Sequence, residues 1–313
     1  MNAGTPPRLF TVGSIVADIR LQVPHLPPRG GDVVGSPAEV AAGGGFNILA
    51  AAARQGLACV FAGRHGTGPY GDRIRAELAR EGIATWHPPA PEGDSGFCIA
   101  LVEPDGERTF VTSPGVESRL GGRRLAEVPV APRDTVFVSG YDLAYPELGP
   151  AIAEWIAAIP DDVRLVVDPG PLSAEIPAAV RAAVMRRASV WTLNRREALL
   201  LTGATAPEAI CDRLRPALAP RALLILRDGP RGAWVSAGDT IRHIAAPEVA
   251  ALDTTGAGDA HSGVLIASLC AGLSPLDAAR RANAAAAISV TRAGPATAPT
   301  ARELDNFLAP GQI

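Results

Sequence analysis

Asp253-Thr254-Thr255-Gly256-Ala257-Gly258-Asp259-Ala260-His261-Ser262-Gly263 is the stretch on which both fold and chemistry turn. Small residues opening a helix leave backbone N–H groups unpaired and let a ligand approach the chain closely. Those donors, with the positive end of the helix dipole, suit an anion such as a phosphate. A carboxylate there competes with the anion unless it has work of its own. Asp259 is placed to take a proton from a hydroxyl attacking a phosphoryl group held at Gly256, Ala257 and Gly258, as phosphoryl transfer requires. A bare Gly-x-Gly-Asp string is also a common helix N-cap, so the rest of the chain must decide.

Working outward, a strand is expected to end near Leu252 and a helix to run from about Ala260 to Cys270, stopping at Gly272. Ser274 caps a further helix, with Pro275 in its first turn, reaching about Val290. Upstream, β-branched runs at 8–12, 57–62, 135–140, 164–167, 189–193 and 222–226 alternate with helical stretches at 47–55, 72–81, 146–159, 173–187 and 206–218. Asp72 reads as a helix cap. This rhythm predicts an α/β fold: a mainly parallel sheet flanked by helices, with chemistry at the carboxyl ends of the strands. Two segments break it. Residues 21–40 are rich in proline and glycine, and residues 97–112 read as two strands around an Asp105-Gly106 turn. Segments 19–42 and 96–113 are therefore expected to form a small antiparallel β lid, the alternative being surface hairpins without a role. No repeat or linker divides residues 1–313, which are read as one domain.

With 313 residues, 47% hydrophobic and 19% charged, the chain can build a substantial core. A net charge of −3 gives no reason to expect nucleic acid or a membrane surface as partner. All 29 basic residues are arginine, which excludes the P-loop lysine and Schiff-base chemistry. Cys59, Cys98, Cys211 and Cys270 are widely spaced, and the N-terminal stretch has no basic run before an apolar one. A cytoplasmic protein without disulfides or zinc is the expectation.

Several motifs in order narrow the reading. The 253–263 string resembles a signature of the ribokinase-like sugar kinases, the PfkB family. Residues 43–56 (GGGFNILAAAARQG) with 65–74 (HGTGPYGDRI) resemble its glycine-pair and asparagine signature. Residues 192–203 (TLNRREALLLTG) look like its Asn-x-x-Glu motif, and 283–294 (NAAAAISVTRAG) like its C-terminal nucleotide-site helix. The resemblance spans about Thr11 to Leu308 and implies a three-layer ribokinase-like fold and an ATP- and magnesium-dependent sugar kinase. It implies Asp259 as base, with Gly256, Ala257 and Gly258 as anion hole, and Asp18, Gly44, Gly45 and Asn47 at the acceptor. Asn194, Arg227, Asp228, Gly229 and Asn283 would border the nucleotide, and Glu197 would reach magnesium through water. Asp253 and Thr255 would help bind a monovalent cation. A homodimer through the lid is a further implication, since paired edges cover each other.

The chain departs from the family at two places. His261 stands where a bulky apolar residue is usual and reads as a packing or hydrogen-bonding substitute near the acceptor. Ala298 stands about where a serine near the cation is usual, which puts potassium dependence in question; Thr297 or Thr300 could replace it. A dinucleotide-binding reading of Gly66-Thr67-Gly68-Pro69-Tyr70-Gly71 fails for want of an acidic residue at the end of the next strand. A nucleoside kinase and a non-catalytic sugar sensor stay as alternatives, though a sensor should have lost Asp259 or the glycine turn. The acceptor is expected to be a neutral sugar phosphorylated on a primary hydroxyl. Aromatic residues are only 4% of the chain, with Phe46, Phe97 and Phe110 as lid candidates, and Arg108 is the candidate cation for an anionic acceptor.

Overall fold

The computed structural model describes residues 6–238 and 240–309. The first five residues of the N-terminal stretch read above lie outside them. The strands are β1 (Arg8–Thr11), β2 (Ile15–Gln22), β3 (Glu39–Gly44), β4 (Ala58–Phe61), β5 (Ala84–Thr85), β6 (Phe97–Val102), β7 (Arg108–Ser113), β8 (Thr135–Ser139), β9 (Arg164–Asp168), β10 (Val190–Asn194), β11 (Leu223–Arg227), β12 (Ala233–Ala237) and β13 (Thr240–Ile244). The helices are α1 (Gly45–Ala53), α2 (Pro69–Arg80), α3 (Gly122–Ala126), α4 (Gly140–Ala144), α5 (Leu148–Ala158), α6 (Ala178–Arg187), α7 (Arg195–Thr202), α8 (Pro207–Leu214), α9 (Ala257–Cys270), α10 (Pro275–Val290) and α11 (Ala301–Phe307).

Nine strands form one sheet in the order β13-β12-β11-β10-β9-β8-β1-β4-β5, parallel from β11 to β5 with an antiparallel edge of β12 and β13. Its strands are apolar on both faces because both are covered. Phe10, Val136, Val167, Trp191 and Leu224 join the core that contains Ile152 and Val184 of α5 and α6. Their strand neighbours Leu9, Phe137, Val166, Val190 and Ile225 join the opposite core, with residues of α1, α2, α9 and α10. That is the period-two alternation of a strand turned into three layers.

The second sheet has the order β3-β2-β6-β7. Its outer ladders are antiparallel, and β2 lies parallel to β6 in the middle. On β2, Val16, Asp18 and Arg20 share one face; on β7, Arg108, Phe110 and Thr112 do so. Val16, Asp18, Phe110 and Thr112 line a cavity between the two sheets.

Some local expectations are corrected. No strand ends at Leu252: residues 245–252 are irregular, Pro247 offers no ladder N–H, and the amides of Leu252 and Asp253 bond the Val290 carbonyl at the end of α10. Asp72 does not cap α2, which starts after Gly68 with Pro69 in its first turn. The Asp94 carboxylate accepts from the Tyr70 and Gly71 amides at 3.0 and 2.8 Å. A cap supplied from 24 and 23 residues downstream leaves no local sequence signal. The helix expected at 173–187 begins only after Pro177.

Helix α9 crosses α1 where Gly263 meets Ala51. A Cβ at Gly263 would lie 2.6 Å from the Ala51 Cβ and 2.6 Å from the Ile48 carbonyl oxygen. The last glycine of the 253–263 string is therefore a packing residue. Gly263→Ala should lower stability by about 1–3 kcal/mol through overpacking, read as a lower urea midpoint at unchanged slope. A variant as stable as the parent would show that the two helices can separate freely.

Candidate active site

The site lies where four neighbouring strands end. Ser139, Asp168, Asn194 and Arg227 are the last residues of β8, β9, β10 and β11, and all four line the cavity under the second sheet. That cavity, of about 370 Å³, also meets Asp18, Gly44, Gly45, Asn47, Gly256, Gly258 and Asp259. A second cavity of about 710 Å³ lies between the β11–β12 turn, residues 246–251 and the helices α9 and α10. It meets Gly229, Ala257, His261 and Asn283. Asn194, Arg227 and Gly258 border both.

Gly256 is the N-cap of α9, with φ 72°, and a Cβ there would lie 1.9 Å from the Pro295 carbonyl oxygen. Only glycine fits this left-handed, crowded position. Asp259 follows in the first turn of α9 and accepts from Asn47 Nδ2 at 2.9 Å. Asn47 Oδ1 is buried with no partner and is free to accept from a ligand. Burial pushes the Asp259 carboxyl up to about 6; Asn47 opposes the rise, Asp168 adds to it and Arg227 opposes it. Burial and then Asp259 push Asp18 up to about 7.

Arg227 is the charge that keeps this group of acids together. Its guanidinium meets Asp168 Oδ2 at 2.8 Å and Glu197 Oε2 at 3.4 Å, and donates to Ser262 Oγ at 3.1 Å and the Gly258 carbonyl at 3.3 Å. Burial, then Asp168, lifts Glu197 to about 7 against the pull of Arg227. Asn194 and Glu197 form a reciprocal capping box on α7. Among the described residues no three acidic, His or Cys side chains cage a metal directly. Two carboxylates with unbalanced negative charge do fit a magnesium ion held through water.

The remaining candidates are placed differently. Asp228 turns away from both cavities, to Arg231 at 2.6 Å and Arg195 at 3.6 Å. His261 faces the second cavity and not the one lined by Asp18 and Asn47; burial and then Arg227 push its imidazole down to about 3. Phe46 is buried away from the first cavity, and Phe97 packs on Tyr70. Phe110 does line it, joined by Phe137, Tyr141 and Tyr145. Asp253 and Thr255 are taken. Asp253 accepts from the Thr255 amide, the Thr255 hydroxyl and the Gly294 amide at 2.9, 2.6 and 3.0 Å. Arg20 and Arg108 pair with it at 3.2 and 3.6 Å. With its oxygens committed, this pair does not fit a further cation.

Asp168 and Ser14 are site residues that the motifs did not reveal. Asp168 precedes Pro169-Gly170 and reads as an ordinary turn residue. Ser14 is fixed by Asp142, which accepts from its amide and its hydroxyl at 2.7 Å each and from the Ser139 hydroxyl at 2.8 Å. In the glycine-rich loop at 66–71 the amides of Gly66, Thr67, Tyr70 and Gly71 are taken within the protein, by Ser95, the Gly93 carbonyl and Asp94.

The raised Asp18 carboxyl has a stability consequence with a definite sign. Its folded-state preference for the proton favours the native state below pH about 4, and this is lost as pH rises to about 7. Asp18→Asn should melt higher than the parent at pH 8, with the gap closing toward pH 5. A gap of constant size across that range would show that Asp18 does not titrate there.

The pfkB family carbohydrate kinase description matches residues 7–302. The uncharacterized sugar kinase YegV of Escherichia coli K12 is 37% identical over 95% of this chain and 92% of its own. The ribokinase of Haemophilus influenzae is 30% identical over 96% and 98%. The Arabidopsis thaliana ribokinase solved with ribose and ATP superposes with a TM-score of 0.79 at 22% identity, over 97% of this chain and 99% of the other. Its likeness speaks to the fold alone. Family match and sequence relatives agree over nearly the whole length: the chain belongs to the pfkB family of carbohydrate kinases, phosphotransferases with an alcohol group as acceptor.

Proposed function

We propose that the chain moves the γ-phosphoryl group of ATP onto a hydroxyl of a neutral sugar, with Asp259 as general base. The observation that carries this reading is the position of Asp259, in the first turn of α9, lining the first cavity directly after Gly258, which borders both. In this reading the nucleotide fills the cavity between Gly229 and Asn283, and the acceptor fills the one under Asp18 and Phe110. The Gly258 and Asp259 amides, without helical acceptors of their own, receive the phosphoryl oxygens. The Asn47 amide orients the Asp259 carboxylate, whose affinity for a proton is matched to work near neutral pH. Magnesium, when bound, would neutralise phosphate charge, with Glu197 and Asp168 as its holders through water.

Among the described residues, Asp18, Asp168, Glu197 and Asp259 face the acceptor cavity against Arg227 alone. That balance favours a neutral acceptor over a sugar phosphate. Arg108 lies outside the cavity lining and supplies no anion site there. The four aromatic rings at the cavity support a second reading, a nucleoside acceptor stacked against them. The second sheet acts as the lid in either case. Its edge strand β7 exposes Phe110 and Val111, which supports pairing of two chains edge to edge.

Asp259→Asn should fold and bind nucleotide but lose turnover by ~10²–10⁴-fold, measured as ADP release with magnesium and a panel of pentoses, ketohexoses, nucleosides and their monophosphates. More than about a tenth of parental turnover would remove the base assignment. On the same panel, the best kcat/KM should belong to a free sugar. A nucleoside or sugar phosphate ahead by tenfold or more, roughly the scale of one lost contact, would overturn the acceptor class. Sedimentation at micromolar concentration should give twice the chain mass of 32.2 kDa, and a 32.2 kDa species would end the dimer.

A further inference from the structure

We propose that Arg20 and Arg108 of the second sheet do at residues 253–255 the work of a bound cation, so that the anion turn is held by a side-chain latch. The inference rests on the kinase reading of the Gly256–Asp259 turn. Arg20 is near the end of β2 and Arg108 begins β7. Both stand on the sheet face that carries Asp18, Phe110 and Thr112, one or two pleats beyond the acceptor cavity.

From there they cross to the main domain. Arg20 Nη1 lies 3.2 Å from Asp253 Oδ2, and Arg108 Nη1 lies 3.6 Å from Asp253 Oδ1. Arg108 also donates to the Thr255 hydroxyl and, at 3.1 Å, to the Thr254 hydroxyl. Asp253 is nine-tenths buried, so two guanidinium groups are a strong charge balance for it. Nearby hydroxyls that could complete a cation shell have other partners. Thr297 bonds Ser289 at 2.8 Å, Thr300 caps α11, and Ala298 offers no side-chain oxygen. The arginines therefore stand where a free ion would have to compete with tethered charge.

Thr255 is the residue immediately before Gly256. Arginine contacts on Thr254 and Thr255 thus set the start of the anion turn, and they exist only while the sheet is docked. Lifting the sheet would strip both positive charges from Asp253 and free the residues leading into the turn. Closing it over an acceptor completes the acceptor pocket and fixes the phosphate site together. Arg20 and Arg108 are positioning residues in this scheme; neither lines either cavity.

The test compares KCl with choline chloride at equal ionic strength, together with thallium-205 NMR of the ligand-free protein as a direct probe of monovalent binding. The parent should show equal kcat/KM in the two salts within about twofold and no saturable thallium signal. Arg108→Ala should lose about tenfold or more in turnover, the scale of a lost charged hydrogen bond, with KCl or methylguanidinium restoring part of it. Arg108→Lys should keep more activity than Arg108→Ala in choline chloride. Strong potassium activation of the parent, a saturable thallium site in it, or an Arg108→Ala variant as active as the parent would each overturn the latch. If the parent phosphorylates nothing on the panel, the kinase reading fails. The thallium measurement and the melting temperature of Arg108→Ala, expected to fall, still decide the latch.

Discussion

The close crossing of α1 and α9 is the constraint on which the site depends. Gly263 lies one helical turn beyond Asp259, and Ala51 one turn beyond Asn47. Contact at the second pair holds the first pair at 2.9 Å, so the hydrogen bond that orients the carboxylate is set by helix packing. A larger residue at either packing position would separate Asp259 from Asn47 before it touched any ligand. The main sheet contributes the other coordinate. Four strands ending together at Ser139, Asp168, Asn194 and Arg227 place the acids opposite the start of α9.

Much of this was legible in the sequence, for reasons that differ between elements. The parallel strands could be read because burial on both faces demands continuous apolar runs, as in Leu223-Leu224-Ile225-Leu226. The Gly256–Asp259 turn was legible because a positive φ and a close backbone approach restrict the residue type. Asp168 was not, since an aspartate before Pro-Gly is an ordinary turn and its role comes from Arg227, 59 positions later in the chain. The α2 cap failed for the same reason: Asp72 is local, and Asp94 is brought by the fold. The side that His261 faces was not legible, because helix phase at α9 decides it, and it lines the second cavity.

The second sheet shows how one face can carry two tasks. Along β2, Val16 and Asp18 meet the first cavity and Arg20 reaches past it; along β7, Thr112 and Phe110 meet that cavity and Arg108 reaches past it. Strand alternation puts each set on one face, and a rise of about 3.3 Å per residue separates the tasks along it. In the proposed latch, docking of the sheet is thereby tied to charge balance at Asp253 through the strands that line the first cavity.

Electrostatics at the acceptor follow from that arrangement. Asp18 and Asp259 face the same space and each is buried, so holding both as anions is unfavourable. A polyol between them relieves this, because hydroxyls donate to both carboxylates and replace the water each has lost. Donation favours the charged forms and lowers both proton affinities. With Asp259 as the proposed base, its carboxylate would become ready as the acceptor arrives. An anionic acceptor would act in the opposite sense, adding charge to a cavity whose one guanidinium, Arg227, is already shared between Asp168 and Glu197. In the proposed reading, preference for a neutral hydroxyl compound would follow from the charge pattern, independent of which hydroxyls it carries.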